Sequence, residues 1–378
     1  MDIAIISPLD YTGISYYTHS LCQSLSEAGV NVTLFTVDKR IISPEKVLYV
    51  SFSTFKNTYG NIQQFKKGIF YLAAIVKTYF LLLKNNIRIV HCQILDFPEV
   101  DVVFFLILRL SRISVIFTPH DIYSLKNKKN NLYLYILYRF SNCIIVHNKS
   151  NKDILTKSLG IVETKIRIIA HGNYNYFLKN INKLEARAKV GLSLNKKILL
   201  LIGNIRKGKG VETSVSSLKF LRPNDNVILL IAGKLSKGFD INKLNEVILK
   251  NNLQKSVLLK TGFIEDSMLE YFYRCADIVL VPYEEAYESG VLKYAFSCEL
   301  PVIVSNLKEF SDFAKDGDNC LIFDSGNAED LSSKIEILLK DGNFAKSLAS
   351  NAKQYSDKEW GWNDVAKKTV KIYKSFAR

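Results

Sequence analysis

The segment Gly203-Asn204-Ile205-Arg206-Lys207-Gly208-Lys209-Gly210 joins an apolar run, Ile198 to Ile202, to a stretch with a helix-like pattern that begins Val211-Glu212-Thr213-Ser214-Val215. A glycine-rich turn between strand and helix aims main-chain N–H groups outward with the positive end of the helix dipole. Arg206 and Lys209 add full charges, so this segment is suited to hold an anion such as a diphosphate. A second candidate, Ser289-Gly290-Val291, follows the apolar run Ile278 to Val281 and Pro282. Its N–H groups would serve the same phosphates, with Gly290 allowing close approach. The bland readings are a solvated basic turn and an ordinary loop entering a helix; the strand-loop-helix setting of both segments weighs for function. Two such sites in one half of the chain imply a ligand built on a nucleoside diphosphate.

His120, in Thr118-Pro119-His120-Asp121, follows a predicted strand, the place where open α/β sheets put ligand contacts. His91, His147 and His171 also end strands; for His147 and His171 structural hydrogen bonds are the expectation. The four histidines lack metal-ligand spacing.

The elements that must position these residues alternate along the chain. Strands are predicted at Ile3 to Ser7, Asn31 to Thr36, Arg88 to Cys92, Ser114 to Thr118 and Cys143 to His147. A second set follows at Lys197 to Ile202, Val227 to Ala232, Ser256 to Lys260, Ile278 to Val281, Val302 to Ser305 and Cys320 to Phe323. Helix-like stretches such as Tyr16 to Ala28 and Leu184 to Val190 lie between them, which predicts two doubly wound parallel α/β sheets. At 378 residues the chain exceeds the size of one ordinary core. We expect an N-terminal Rossmann-like domain over 1–178, a connection at 179–195, a second Rossmann-like domain over 196–355, and a C-terminal helix over 356–378 that packs back on the first domain. The apolar face of that helix would hold Trp360, Trp362, Val365, Val370, Ile372 and Tyr373.

Hydrophobic content of 48% against 23% charged is a globular balance. The formal charge of +15 favours anionic partners, yet the lysines and arginines are scattered, with no basic helix or zinc-finger spacing, so nucleic acid is not the expected partner. Six well-separated cysteines read as buried free thiols. With a first segment that resembles a β-strand more than a signal peptide, they make a cytoplasmic location the expectation. The stretch Phe65 to Lys84 mixes Lys66, Lys67, Lys77 and Lys84 with Phe70, Leu72, Ile75, Phe80 and Leu82. Two readings stand for it: a helix buried in the first domain with basic ends, or a segment lying peripherally on an acidic membrane face.

The ordered set of segments resembles the GT-B glycosyltransferases of the retaining family 4 type, over essentially the whole chain. The set comprises Ser7-Pro8 through Gly13-Ile14, Gly29 to Leu34, Thr118 to Asp121, Ile169 to Asn173, the loop Gly203 to Gly210, Cys275 to Tyr283, Leu300 to Ser305 and Asp316 to Phe323. The resemblance implies two Rossmann-like domains facing a cleft and a hexosyltransferase-type enzyme. It would move a sugar from a nucleotide-diphosphate donor to a saccharide or lipid-linked saccharide, with retention of configuration. It further implies that Gly13 faces the donor phosphates, that His120 sits beside the reacting sugar, and that neither a metal nor a cofactor is needed, the nucleotide sugar being a substrate. Glu285 and Glu288 are candidates for sugar hydroxyls, and Tyr294 is a further candidate for the donor sugar or nucleotide. One departure stands out. Two glutamates eight apart are common in the family, the second seven residues before the proline of Leu300-Pro301-Val302; here those positions hold Ala286 and Tyr294. The Ser289-Gly290-Val291-Leu292 version resembles a sub-branch that makes bacterial surface polysaccharides. The rival expectations are a catalytically impaired partner subunit and a nucleotide-sugar epimerase of the same fold.

Overall fold

The computed structural model describes all residues except 9–11, 38–48, 56–63, 94–96, 121, 123–127, 222–225, 286–289 and 378, with backbone alone described for 12, 64, 65 and 128–131. Ser289 and Glu288 therefore lie outside the described residues. The chain divides into two units, Met1–Gly172 with Trp360–Arg378, and Asn173–Glu359.

In the N-terminal unit the order is β1 (Asp2–Ser7), α1 (Thr12–Glu27), β2 (Asn31–Thr36), β3 (Val50–Phe52), α2 (Gln64–Lys84), β4 (Ile89–Cys92), α3 (Pro98–Leu110), β5 (Ser114–Phe117), α4 (Lys128–Phe140), β6 (Cys143–Val146), α5 (Lys149–Asp153) and β7 (Ile166–Ile168). The strands form one sheet in the order β3-β2-β1-β4-β5-β6-β7, paired in parallel throughout. Strands β1, β4 and β6 are apolar runs buried along almost their whole length, as a parallel sheet covered on both faces requires. One face is packed by Tyr71, Ala74, Ile75 and Leu82 of α2, Phe104, Phe105 and Leu108 of α3, and Leu137 and Tyr138 of α4.

The second unit runs α6 (Lys183–Val190), β8 (Lys197–Ile202), α7 (Val211–Ser217), β9 (Val227–Gly233), α8 (Ile241–Lys250), β10 (Val257–Thr261), α9 (Asp266–Arg274), β11 (Ile278–Val281), α10 (Gly290–Ser297), β12 (Val302–Ser305), β13 (Leu321–Phe323), α11 (Ala328–Lys340) and α12 (Gly342–Glu359). Its sheet has the order β10-β9-β8-β11-β12-β13, again parallel. Helix starts carry the expected caps: Asn182, Asp240 and Asn327 each accept main-chain N–H groups of the turn that follows. In both sheets the first strand lies inside, and the order of connection reverses beside it, between β1 and β4 and between β8 and β11. The strand ends at such a reversal leave a crevice for ligands.

The division falls at Gly172/Asn173, ahead of the 179–195 stretch expected to connect the domains. That stretch is tied into the second unit. Glu270 accepts from the N–H of Lys179 at 2.7 Å and of Ile181 at 3.3 Å, and Asp277 pairs with Lys183 and with buried Arg187, both at 2.7 Å. The chain returns to the first unit with α13 (Trp362–Phe376), which buries Trp362, Val365, Ala366, Thr369, Ile372 and Tyr373 and packs on α1. A β-carbon on Gly172 would lie 2.2 Å from the Trp362 ring, so only glycine lets that indole seat. Among the described residues no helix is long and apolar enough to cross a membrane.

Candidate active site

In the second unit the glycine loop leaves β8 at the reversal of strand order and is fastened on both sides. Toward β9, the N–H of Gly203 donates to Ala232 O at 3.0 Å and that of Ile205 to Lys234 O at 2.9 Å. Toward β11, Gly208 O accepts from the N–H of Glu284 at 2.9 Å. Gly210 has φ +65°, and a β-carbon there would meet Pro282 O at 1.8 Å. The glycines thus bring the loop against the segment that follows β11.

That approach sets the environment of Lys209. Its ammonium stands 3.4 Å from the centre of the Tyr283 ring, a cation–π contact. Burial, and then the Arg206 guanidinium, push its pKa down to about 7. Among the described residues neither cation has a carboxylate bond, and two cations held together in this way raise the local potential that an anion would relieve. Arg206 is half-buried and donates to Lys207 O at 3.0 Å. Glu285 is exposed beside Gly208, with side-chain atoms 3.7 Å from where its β-carbon would be. Val291 is adjacent to the same loop, its methyl 3.6 Å from the corresponding position on Gly203, and Gly290 begins α10 beside the Tyr174 hydroxyl. The structure therefore gathers Arg206, Lys209, Glu285, Gly290 and Val291 around one loop.

Tyr294 is placed otherwise. Only 3% exposed, its ring stacks on Tyr273 at 4.4 Å and packs on Tyr174 at 5.0 Å. Its position on α10 turns it inward, and in this structure it serves to pack the second unit.

In the first unit, strand ends carry a cluster of histidines. His120 is half-buried, its Nε2 is 3.2 Å from Gln93 Oε1, and its ring lies against Tyr17 of α1 at 5.0 Å and His147 at 5.4 Å. Because an amide oxygen only accepts, His120 Nε2 is the donor in that bond. Gln93 is in turn 3.4 Å from His91 Nε2; His91 also bonds Thr118 Oγ1 at 2.7 Å and the Tyr373 hydroxyl of α13 at 2.6 Å. A chain of polar groups thus links the last helix to His120. His147 and His171 hold main-chain carbonyls, Ile169 O at 3.0 Å and Gly172 O at 2.8 Å. Gly13 is exposed at the start of α1, and a β-carbon there would touch nothing within 4 Å. Gln93, Tyr17 and Tyr283 are contributors that sequence reasoning missed; each acts through a contact with no local signature.

Buried histidines give this unit an acid limit. Burial pushes His91 down to about 3, with His147 adding to the shift, and burial pushes His19 down to about 4. Both folded values lie below the ordinary 6.5, so from pH 6.5 downward the unfolded chain binds protons that the folded chain refuses, and stability falls. Each group costs roughly 1.4 kcal/mol per pH unit over that window. The melting temperature should drop between pH 7.5 and 5, less in His91→Gln; a flat profile over that range refutes the assignment.

Residues 11–172 match the family described as Glycosyltransferase Family 4, and residues 182–355 match Glycosyl transferases group 1. The chain belongs to the family 4 glycosyltransferases. This glycosyltransferase is 24% identical over 245 residues to an uncharacterized glycosyltransferase of Methanocaldococcus jannaschii, covering 63% of this chain and 61% of that protein. It is 28% identical over 253 residues to the N,N'-diacetylbacillosaminyl-diphospho-undecaprenol alpha-1,3-N-acetylgalactosaminyltransferase of Campylobacter jejuni, covering 65% and 63%. The chain spans about half to three-fifths of the length of the curated relatives it matches. HepE of Anabaena, solved in complex with UDP, superposes with a TM-score of 0.71 at 14% identity over 99% of this glycosyltransferase and 100% of that chain. The two parallel Rossmann-like sheets are thus those of the GT-B fold.

Proposed function

We propose that this family 4 glycosyltransferase moves a hexose from a nucleotide-diphosphate donor to a hydroxyl of a saccharide, with retention, at the cytoplasmic face of the membrane during synthesis of a bacterial surface polysaccharide. The observation that carries the reading is the pair Arg206 and Lys209, held on a glycine loop at the reversal of strand order without a carboxylate bond among the described residues. There they would bind the diphosphate and stabilise the negative charge that grows as the glycosidic bond breaks. The bond from the anomeric carbon to the diphosphate oxygen breaks, the acceptor hydroxyl oxygen bonds that carbon on the same face, and its proton passes to the departing phosphate oxygen. No side chain is required as nucleophile, and the two cations carry the charge that a metal would otherwise balance. Gly290 and Val291 line the phosphates with main-chain groups, Glu285 takes a sugar hydroxyl, and His120 is the candidate for the reacting sugar. The solved relative with UDP supports a nucleotide donor. The name of the Campylobacter enzyme supports a diphospho-undecaprenol-linked acceptor.

A second reading, a partner subunit that keeps the fold without the chemistry, is favoured by Tyr294 at the position of a family glutamate. Thermal unfolding with UDP, GDP, ADP, TDP and CMP and their common sugar conjugates decides the first step, because a ligand that binds the native state alone raises its melting temperature. One nucleotide should stabilise the protein, and its sugar conjugate should then label a lipid-linked saccharide. Nucleotide binding without any product selects the subunit; absence of every shift in a cooperatively unfolding protein removes both.

A further inference from the structure

The outer faces of α2 and α3 have no role in either site, yet they are unlike the remaining surface. Of the 21 large apolar side chains that stand exposed among the described residues, six are on α2 and four on α3. On α2, Ile69, Leu72, Val76, Phe80 and Leu83 recur every three or four residues and are 43–64% exposed. They form a stripe opposite Tyr71, Ala74, Ile75 and Leu82, which fill the core. α3 repeats the arrangement, with Phe104, Phe105 and Leu108 inward and Val103, Leu106, Ile107 and Leu110 outward, Leu110 at 77% exposure. The two helices pack against one another. A helix apolar on opposite faces needs a second environment besides its own core, and a contiguous patch of this kind marks an interaction surface.

The charges beside the patch say what covers it. α2 contains no acidic residue, and Lys66, Lys77 and Lys84 stand exposed along its length. At the end of α3, Arg109 precedes Leu110 and lines a cavity of about 440 Å³ together with Arg139, Lys165, Tyr138, Phe140, Ile161 and Val162, with no carboxylate among the described lining residues. Arg109 donates to Phe140 O at 3.0 Å, and Lys165 to Arg139 O at 2.9 Å and Ser141 O at 3.1 Å, so carbonyl oxygens fix these cations in place. Burial, then Arg109 and Arg139, lower the pKa of Lys165, which fits cations crowded without a counter-ion. The acids on α3 are Glu99 and Asp101 in its first turn, and Asp101 is buried, where it accepts from the Tyr71 hydroxyl at 2.5 Å. A second copy of the chain would set this cationic rim against itself, whereas an anionic bilayer satisfies both the apolar stripe and the rim.

We propose that the α2–α3 face docks on an anionic phospholipid bilayer, the apolar stripes entering the acyl boundary and the Arg109–Arg139–Lys165 cavity taking a lipid phosphate. The inference stands on surface chemistry and not on the donor or acceptor assigned above; vesicles without saccharide test it alone, so its failure leaves that reading standing. In flotation with phosphatidylcholine vesicles, with or without a third of phosphatidylglycerol, the full chain should float with the anionic vesicles, much less with the neutral ones, and less at high salt. Leu72→Ser/Phe80→Ser/Leu110→Ser should reduce partitioning by about tenfold or more with an unchanged melting temperature. Arg139→Ala/Lys165→Ala should weaken it about threefold or more and flatten its dependence on lipid charge. Phe80→Trp supplies a readout independent of those losses, a blue shift of emission on adding anionic vesicles. Wild-type protein that stays out of the vesicle fraction, or a triple serine variant that floats as well as wild type, overturns the proposal. So does a dimer that the serine changes dissociate while no flotation is seen, which would assign the face to a second copy.

Discussion

Lys209→Met is expected to cut affinity for a nucleoside diphosphate by about a hundredfold at pH 7, and at the same time to raise the melting temperature of the ligand-free protein. The first effect follows from removing a charged donor to phosphate, worth roughly 1.5–3 kcal/mol. The second follows from what the loop does to the lysine. Its folded pKa of about 7 lies below the ordinary 10.5, so between those values the unfolded chain holds a proton that the folded chain resists. Stability therefore rises with pH across this window, and the full penalty is present below pH 7. At about 1.4 kcal/mol per unit the upper bound is near 5 kcal/mol. The Tyr283 face returns roughly 1–2 kcal/mol of it, and a net gain of about 2 kcal/mol, a shift of several degrees, is the expectation for the variant. The gain should shrink toward pH 10. A variant that melts lower than wild type at pH 7 would show that the ammonium is held for structure and not for a ligand.

The same displacement predicts the pH dependence of binding. A diphosphate selects the ammonium form, so wild-type affinity should be full below about pH 7 and fall by up to tenfold per unit above it, until the pKa in the complex is passed. Lys209→Met should lack that slope. Calorimetric titration between pH 7 and 9, where the diphosphate is fully ionised, compares the two directly. Arg206→Ala should weaken binding less steeply with pH, because removing the neighbouring charge lets the Lys209 pKa rise.

How much of the fold and the site is legible in the sequence depends on whether a signal is local. The strand Lys197 to Ile202, the glycines after it and the charges of Arg206 and Lys209 lie in one short stretch, and the structure keeps that stretch as a strand, a loop and a helix start. Tyr283 is remote in sequence, and no property of the loop announces that a ring will lie under its lysine. Tyr294 was singled out by counting from Pro301, which gives a position in a motif but not the direction of a side chain on α10. Strands β3 and β7, each three residues at an edge or late in the sheet, carry too short a pattern to be read. The stretch from 179 to 195 has the Asn- and Lys-rich composition of a connection, yet Glu270 and Asp277 hold it, and such acid partners are visible only after folding. His120 was found by its place after a strand; the chain through Gln93 and His91 to Tyr373 needed the fold, since 282 positions separate His91 from Tyr373.

The fastening of the loop is itself open to test. Gly210→Ala asks a residue with a β-carbon to keep φ +65° and to overlap Pro282 O at 1.8 Å. The left-handed backbone alone costs about 1–2 kcal/mol. The overlap is with main chain, which cannot rotate away, so the loop must separate from the segment after β11 at a total of roughly 3 kcal/mol or more. Gly208→Ala is the matched control. It also has a positive φ, +81°, but the nearest atoms to its new methyl are side-chain atoms at 3.6 Å and 3.7 Å, and strain alone should cost about 1 kcal/mol. Calorimetry should therefore show the second unit melting well below wild type in Gly210→Ala and only slightly lower in Gly208→Ala. Nucleotide affinity should fall with the first, because Lys209 loses the Tyr283 ring and its spacing from Arg206 when the loop lifts. Equal melting temperatures for the two variants would mean that the loop accommodates a methyl at either glycine, and that the close approach to Pro282 does not hold Lys209 in place.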